Sequence, residues 1–598
     1  MYRAPVSEIA FTLKEVAGLQ SAIEAGILPN LSDDLVDAVL EEAGKFASDR
    51  IAPLNTAGDQ QGSRVADGVV TTPQGWKETY KAWAEAGWNS ISAPEEHGGQ
   101  ELGAMMALAA SEMWNSASMA WALCPLLTVG AIEALDKHGA EDLKQKFLAR
   151  IVSGEWTGTM NLTEPQAGTD LAALKSRAER CEDGTYRISG QKIFITYGEH
   201  DMTENICHLV LARLPDAPAG TRGISLFLVP KFLVNDDGSL GARNDLFCQS
   251  VEHKLGIHAS PTCVMIYGDG FKDSGVGAGA VGYLIGEENR GLNCMFTMMN
   301  NARLNVGIQG VAIAEAAYQH ALAYAHERRQ GKAPNAGNEG SATDGMSPIV
   351  EHPDVMRNLL TMKAMIRAAR GICYSCAHAL DMAHASEGGE GTEWSARAGL
   401  LTPIAKAFST DIGVEVASIG VQVHGGMGFI EETGAAQFLR DARINPIYEG
   451  TNGVQAIDLV TRKLPLANGE AVKAYIGELR AIAEQVRGAN HPEFGETADR
   501  LNAALDDVEA ATGWMLQALA AGRIDQVLAG ATPYLRLFGL AAGGAYLAKA
   551  GLAGDAGEHA VLARFYAENL LGETAGLKTT VTEGAQSLLA ARSLLEIA

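Results

Sequence analysis

Cysteine is scarce in this chain. Eight in 598 residues are too few for a disulfide framework and fit a reducing compartment. Positive charge is also short: 47 Lys and Arg against 72 Asp and Glu leave a net charge of −25. A nucleic-acid partner needs a basic footprint, so that class is excluded. Long uninterrupted hydrophobic runs are missing too. The most apolar late stretch, Leu528 to Gly554, contains Arg536, Lys549 and several glycines. A spanning helix needs about 20 mostly apolar residues. This stretch is therefore expected to be a buried helix, with no membrane insertion. The N-terminal MYRAPVSEIAFTLKEV lacks a basic region leading into an apolar run, and it is not Arg- and Ser-rich. Neither a signal peptide nor a transit peptide is expected, and the expected location is cytoplasmic.

What is present is globular: 47% hydrophobic and 20% charged residues. At roughly 150 residues per domain, the length predicts three to four domains. Residues 1–155 carry helical periodicity, as at Leu35, Val36, Val39 and Leu40. From Trp156 the segments TYRISGQKIFITYG, HLVLARL, GISLFLVPK and CVMIY are short and β-branched or aromatic, with Gly, Pro and Asp at their bounds. They predict a β-domain over 156–285. Helices return over 286–464, with a Gly/Asn/Ser-rich loop from Gly331 to Met346. Pro465 stops that run, and 465–598 predicts four more helices packed on the body or on a partner subunit. The fold class is α+β: helical domain, β-domain, helical bundle, helical appendix.

Some motifs carry little. GAGAVG at Gly277–Gly282 spells a dinucleotide fingerprint, but turn residues flank it where a strand and a helix are required, so a Gly-rich turn is expected. Cys373 and Cys376 form a CxxC inside a helical pattern with no second pair, which predicts helix packing and no metal. Others are ambiguous alone. TMNLTEPQAGTDL, Thr159–Leu171, suits the polar rim of a heterocycle or phosphate, but by itself is more often an ordinary strand-end loop. KIFIT, Lys192–Thr196, reads as a plain strand with Phe194 in the core. Glu449, alone in a Pro-x-Tyr-Glu-Gly-Thr turn, is by itself more often structural.

Together these motifs resemble the acyl-CoA dehydrogenases, FAD enzymes, over about residues 35–464. QVHGG, Gln422–Gly426, and IYEGT around Glu449 resemble the family's C-terminal signature, and TEPQAGTD its TEPxAGSD run. The resemblance implies that Glu449 is the base that removes the α-proton of an acyl-CoA. The position just before Arg303 holds the base in some members; here it is Ala302, which leaves Glu449. Met160, Leu162, Thr163, Thr169, Phe194 and Thr196 are implied at the flavin. Arg328 in HERRQG, with Gln422, Gly425 and Gly426, is implied at the FAD of a neighbouring subunit. The Phe of the family's ERxxFG run is missing. Gly450, Thr451 and Asn452 are further implied FAD contacts, while Gly453 stands where Gln is frequent. Thr169, Asn300, Arg303 and Gly450 are implied at the substrate. YRAPVSEIAF and the helical tail further resemble the subfamily that contains 3-methylmercaptopropionyl-CoA dehydrogenase.

The implied reaction is α,β-dehydrogenation to a trans-2-enoyl-CoA. A proton α to a thioester is a weak acid, so its removal needs a placed carboxylate and a stabilised enolate oxygen. The implied donors to that oxygen are the Glu449 N–H and a ribityl hydroxyl of FAD. Hydride passes to flavin N5, and electrons go on to an electron transfer flavoprotein. Apolar surroundings should raise the pKa of Glu449. The expected substrate is 3-methylmercaptopropionyl-CoA, or else a medium- or long-chain fatty acyl-CoA. The same motifs are also compatible with an acyl-CoA oxidase and with a non-catalytic flavoprotein relative. A homodimer is expected, because FAD contacts are implied from two subunits.

Overall fold

The β-branched segments build one eight-stranded sheet in the computed structural model, which describes residues 1–334, 345–386, 388–553 and 557–596. The strands are β1 Thr157–Asn161, β2 Arg177–Arg180, β3 Tyr186–Thr196 and β4 Ile206–Arg213. β5 Ile224–Pro230, β6 Leu246–Val251, β7 Thr262–Tyr267 and β8 Ala280–Ile285 follow. Their order is β6-β7-β3-β8-β5-β4-β1, and β2 pairs with both β3 and β4, which closes a barrel. Side chains alternate between the faces of a strand. Val210, Ala212, Phe227 and Val229 enter one core, while Leu209, Leu211, Leu226 and Leu228 enter a second core with Phe147, Leu148 and Trp156. Burial on both faces explains the unbroken apolar runs of β4 and β5. GAGAVG lies in a turn that runs into β8, with Gly277 and Gly279 at positive φ, and no helix starts there.

The main helices of the body are α1 Gly103–His138, α2 Gly291–Glu327, α3 Pro353–Ala385, α4 Gly388–His424 and α5 Asn452–Asp458. α1 is interrupted by non-helical backbone at Ser118. Among the described residues it alone is long and apolar enough to cross a membrane, and 89% of its most apolar window is buried inside the protein, as in a core helix. The expected loop at 331–346 falls largely outside the described residues, at 335–344.

The chain forms two compact units. The first comprises 1–44, 108–116 and 303–598, and the second 45–107 and 117–302. The expected helical domain 1–155 is thus shared between them. The expected appendix belongs to the first unit together with 303–464. Among the described residues it has five principal helices rather than four: α6 Glu470–Ala489, α7 Thr497–Ala520, α8 Ile524–Ala553, α9 Glu558–Asn569 and α10 Glu573–Ala590. The apolar stretch read as a buried helix is α8, buried along most of its length.

Small residues bring the helices of the first unit together. A Cβ at Gly539 of α8 would lie 2.3 Å from the Phe408 ring of α4, and one at Gly371 of α3 would lie 2.9 Å from Cβ of Tyr546. These approaches seat the appendix on the body of its own chain. Cys373 and Cys376 pack against α4 near Ser409 and Thr402. Burial raises both thiols, Cys376 to about 12, as expected of packing cysteines.

Candidate active site

In the first unit, the segment after Ile444 cannot continue as a helix. Pro446 and Gly450 interrupt it, and Glu449 and Gly450 take left-handed backbone, φ +55° and +86°. That region costs a non-Gly residue roughly 1–2 kcal/mol. Such strain persists only where surrounding contacts dictate it. Here they do. The Asn452 N–H donates to the Pro446 carbonyl at 2.9 Å, and Thr451 caps α5 by accepting from the Val454 N–H at 3.3 Å. Tyr448 donates its hydroxyl to Gln309 of α2, and Gln309 donates to Asn115 at 3.0 Å.

The principal tie is Lys406 of α4, a fully buried lysine. Its Nζ donates to the carbonyls of Asn445 (2.9 Å) and Gly450 (2.8 Å) and to Oδ1 of Asn452 (2.9 Å). The residue Glu449 is partly solvent-accessible, but protein surrounds its carboxyl. Burial pushes that carboxyl up to about 7, against the opposing pull of Lys406 and then Arg303. A carboxyl poised there can accept a proton near neutral pH and is not locked as an anion. Ala302, beside Arg303, is buried and offers no basic group.

Asn300 is exposed and Arg303 partly buried on α2; Asp458 and Glu449 act on Arg303 electrostatically. Gln422, Gly425 and Gly426 are exposed beyond the buried face of α4, and a Cβ on either glycine would meet nothing within 4 Å. His424 between them stacks on Tyr324, with ring centroids 4.4 Å apart, which fixes this corner to α2. Arg328 is exposed after the end of α2. Asn452 is different. Its amide donates to the Ala407 carbonyl, Thr410 and Asp411, and its oxygen accepts from Lys406. That side chain is engaged in holding the turn.

In the second unit, Met160 and Leu162 are buried, Thr163 and Thr196 partly so, and Thr169 is exposed. Phe194 is not a core residue, contrary to the plain-strand expectation. It is 58% exposed, at φ +60°. The cause is a bulge between β3 and β7: Cys263 pairs with Ile195 but Met265 with Lys192, so Ile193 and Phe194 face one residue. A bulge re-aims a side chain. Glu164 braces the adjoining loop. It accepts from Lys192 (2.8 Å), the Ser176 hydroxyl (2.6 Å) and the Lys175 N–H (2.7 Å). Lys192 also donates to the Leu162 carbonyl at 3.0 Å.

Within the second unit, an aromatic ring presented outward beside threonine hydroxyls fits a flat heterocycle. Within the first unit, two open glycines allow close approach of a ligand. Sequence reasoning missed Lys406, Gln309, Glu164 and Lys192 as supports. The available signal was a cation inside an apolar run, as in PIAKAF and KIFIT.

Acyl-CoA dehydrogenase domain families match along the chain. The N-terminal domain matches 34–155, the middle domain 159–269, the C-terminal domain 289–464, and an acetyl-CoA dehydrogenase C-terminal-like domain 475–592. The chain is 44% identical to 3-methylmercaptopropionyl-CoA dehydrogenase of Ruegeria pomeroyi, over 99% of both chains. It is 35% identical to a butyryl-CoA dehydrogenase of Syntrophomonas wolfei, over 82% of this chain and 80% of that one. Among solved structures, butyryl-CoA dehydrogenase of Megasphaera elsdenii aligns with a TM-score of 0.57 at 27% identity, over 72% of this chain and 97% of that chain. Caenorhabditis elegans ACDH-11 in complex with C11-CoA aligns with a TM-score of 0.76 over 97% and 95% of the two chains; at 19% identity this speaks to fold. With its domain families in order and a relative matched end to end, the chain belongs to the acyl-CoA dehydrogenase family, FAD-dependent oxidoreductases that act on acyl-CoA.

Proposed function

We propose that this protein dehydrogenates 3-methylmercaptopropionyl-CoA at its α,β bond, with Glu449 as the base. The observation that carries the reading is the Glu449 carboxyl, strained into a left-handed turn and raised to about 7 beside two cations. Glu449 takes the α-proton, and its backbone N–H donates to the thioester carbonyl as enolate character develops. FAD, when bound, supplies the acceptor for the β-hydride. Phe194, Met160, Leu162, Thr163, Thr169 and Thr196 would hold the isoalloxazine. Gly450 and Thr451 would contact the same cofactor, and Arg328, Gln422, Gly425 and Gly426 that of a second subunit in a homodimer. Thr169, Asn300, Arg303 and Gly450 would line the acyl-CoA site. An electron transfer flavoprotein would receive the electrons, in the cytoplasm. The 44% identity over the full chain supports this substrate ahead of butyryl-CoA and longer linear thioesters.

The test is anaerobic titration of the purified flavoprotein with 3-methylmercaptopropionyl-CoA, butyryl-CoA and palmitoyl-CoA. The flavin bands of the wild type should bleach best with the first. Glu449→Gln should keep FAD and bind ligand but lose bleaching. Near-normal bleaching in that variant would sink the base assignment, and a clear preference for another thioester would sink the substrate. Rapid reoxidation by air with peroxide would mark an oxidase instead.

A further inference from the structure

Lys406 is an unusual lysine. It has no solvent exposure, and none of its three hydrogen-bond acceptors is a carboxylate. Two are main-chain carbonyls on either side of Glu449, at Asn445 and Gly450. The third is Oδ1 of Asn452, whose orientation is dictated because its Nδ2 donates to Ala407, Thr410 and Asp411. All three contacts accept. A neutral amine has two N–H groups and a lone pair; only the ammonium has three donors. The site therefore selects the charged form, although burial pushes this lysine down to about 7, with Glu449 and Asp411 pulling the other way.

We propose that Lys406 is the positioning residue for the catalytic base: its ammonium clamps the turn across Glu449, holds that residue in its left-handed conformation, and keeps a positive charge beside its carboxylate. This rests on the reading of Glu449 as the base. The clamp spans the strained residue, from Asn445 to Asn452, so the strain of the turn is balanced by hydrogen bonds to a charged donor. Arg303 on α2 is the second cation that acts on Glu449, and Asp411, Asp458, Arg462 and the Tyr448 hydroxyl complete the charged and titratable surroundings. With Arg303 and Asp458 interacting, Lys406 is the larger of the two cationic influences on the base. The device settles two needs together. The base must be aimed, and it must ionise at working pH although burial of its carboxyl opposes the charge.

The experiment uses the FAD-loaded protein and stopped-flow flavin bleaching by 3-methylmercaptopropionyl-CoA and butyryl-CoA, followed as a function of pH. Lys406→Met removes charge and donors. Lys406→Gln removes charge but keeps N–H donors for the carbonyls, so one neutral variant retains a means of folding. Lys406→Arg keeps the charge. In both neutral variants the acid limb of the bleaching rate should move to higher pH. The limiting rate should fall about tenfold or more in Lys406→Met, equivalent to about 1.4 kcal/mol at the transition state, with a smaller change in substrate affinity. Lys406→Arg should return the limb toward the wild-type position. A lysine that merely fills the core would lower the melting temperature and leave the limb in place. That result, in whichever neutral variant folds, overturns the proposal. Glu449→Gln is run alongside: full bleaching there would refute the base assignment itself, whereas loss of bleaching there with an unmoved limb in the Lys406 variants would refute only the clamp.

Discussion

Lys192 and Glu164 meet at 2.8 Å with almost no solvent on either side chain, 0% and 3% exposed. The pair joins strand β3 to the loop that carries Thr163 and Thr169. Burial alone would raise the Glu164 carboxyl, but Lys192, Ser176 and the Lys175 N–H outweigh it and hold it down at about 2. A carboxylate so depressed contributes stability that is fully present above its ordinary value of 4.5 and is lost as pH falls from there through about 2. Lys192→Met strands a buried anion. It should cost about 3–5 kcal/mol at neutral pH and loosen FAD there, and the deficit should shrink at acid pH as the stranded carboxyl takes up a proton. Denaturant midpoints and flavin fluorescence, followed from neutral pH down through 4.5 toward about 2, check both.

Glu449 has the opposite sign. Its raised value means that the turn prefers the protonated carboxyl, while the reaction needs the anion. Bleaching of the free enzyme at low substrate should therefore rise with pH through about 7. A rate that is already flat well below that value, in a pH series of kcat/KM, would show that the base ionises earlier.

Phe194 stands at φ +60°, where glycine would be unstrained. Phe194→Gly should leave the melting temperature of the apoprotein unchanged or higher, while FAD dissociates more readily. Calorimetry of apoprotein and a flavin-release assay separate the two effects. Equal FAD affinity in the variant would remove the ring from the cofactor site.

Arg370 grips Glu112 through Nε at 2.9 Å and Nη2 at 2.6 Å, and the same Nη2 reaches Glu315 at 3.0 Å. Tyr374 donates to the other oxygen of Glu112 at 2.6 Å. Arg370→Met would leave two carboxylates facing each other in a dry core. A loss of about 3–5 kcal/mol in unfolding free energy is expected, with the pH limb of bleaching unmoved. A shifted limb would mean that this network reaches the base.

Much of the fold was legible because its signals are local. Short β-branched or aromatic runs bounded by Gly, Pro and Asp mark β3, β4, β5 and β7, and the return of helical pattern marks the helices of 286–464. The appendix was undercounted because α9 is only 12 residues long, a short element beside the 30-residue α8. The two compact units could not be read, since they join segments hundreds of residues apart, such as 1–44 with 303–598.

The candidate site divides in the same way. By itself the sequence determined which groups are available: one carboxylate in a Tyr-Glu-Gly-Thr turn, threonines in a strand-end loop, paired glycines after a helix. These are chemical identities carried by short motifs. Only the tertiary structure decided that Glu449 is strained and its carboxyl raised by burial, that Lys406, 43 positions earlier, clamps its turn, and that a bulge turns Phe194 outward. Burial, charge proximity and backbone strain depend on which distant segments pack together, and no local pattern encodes them.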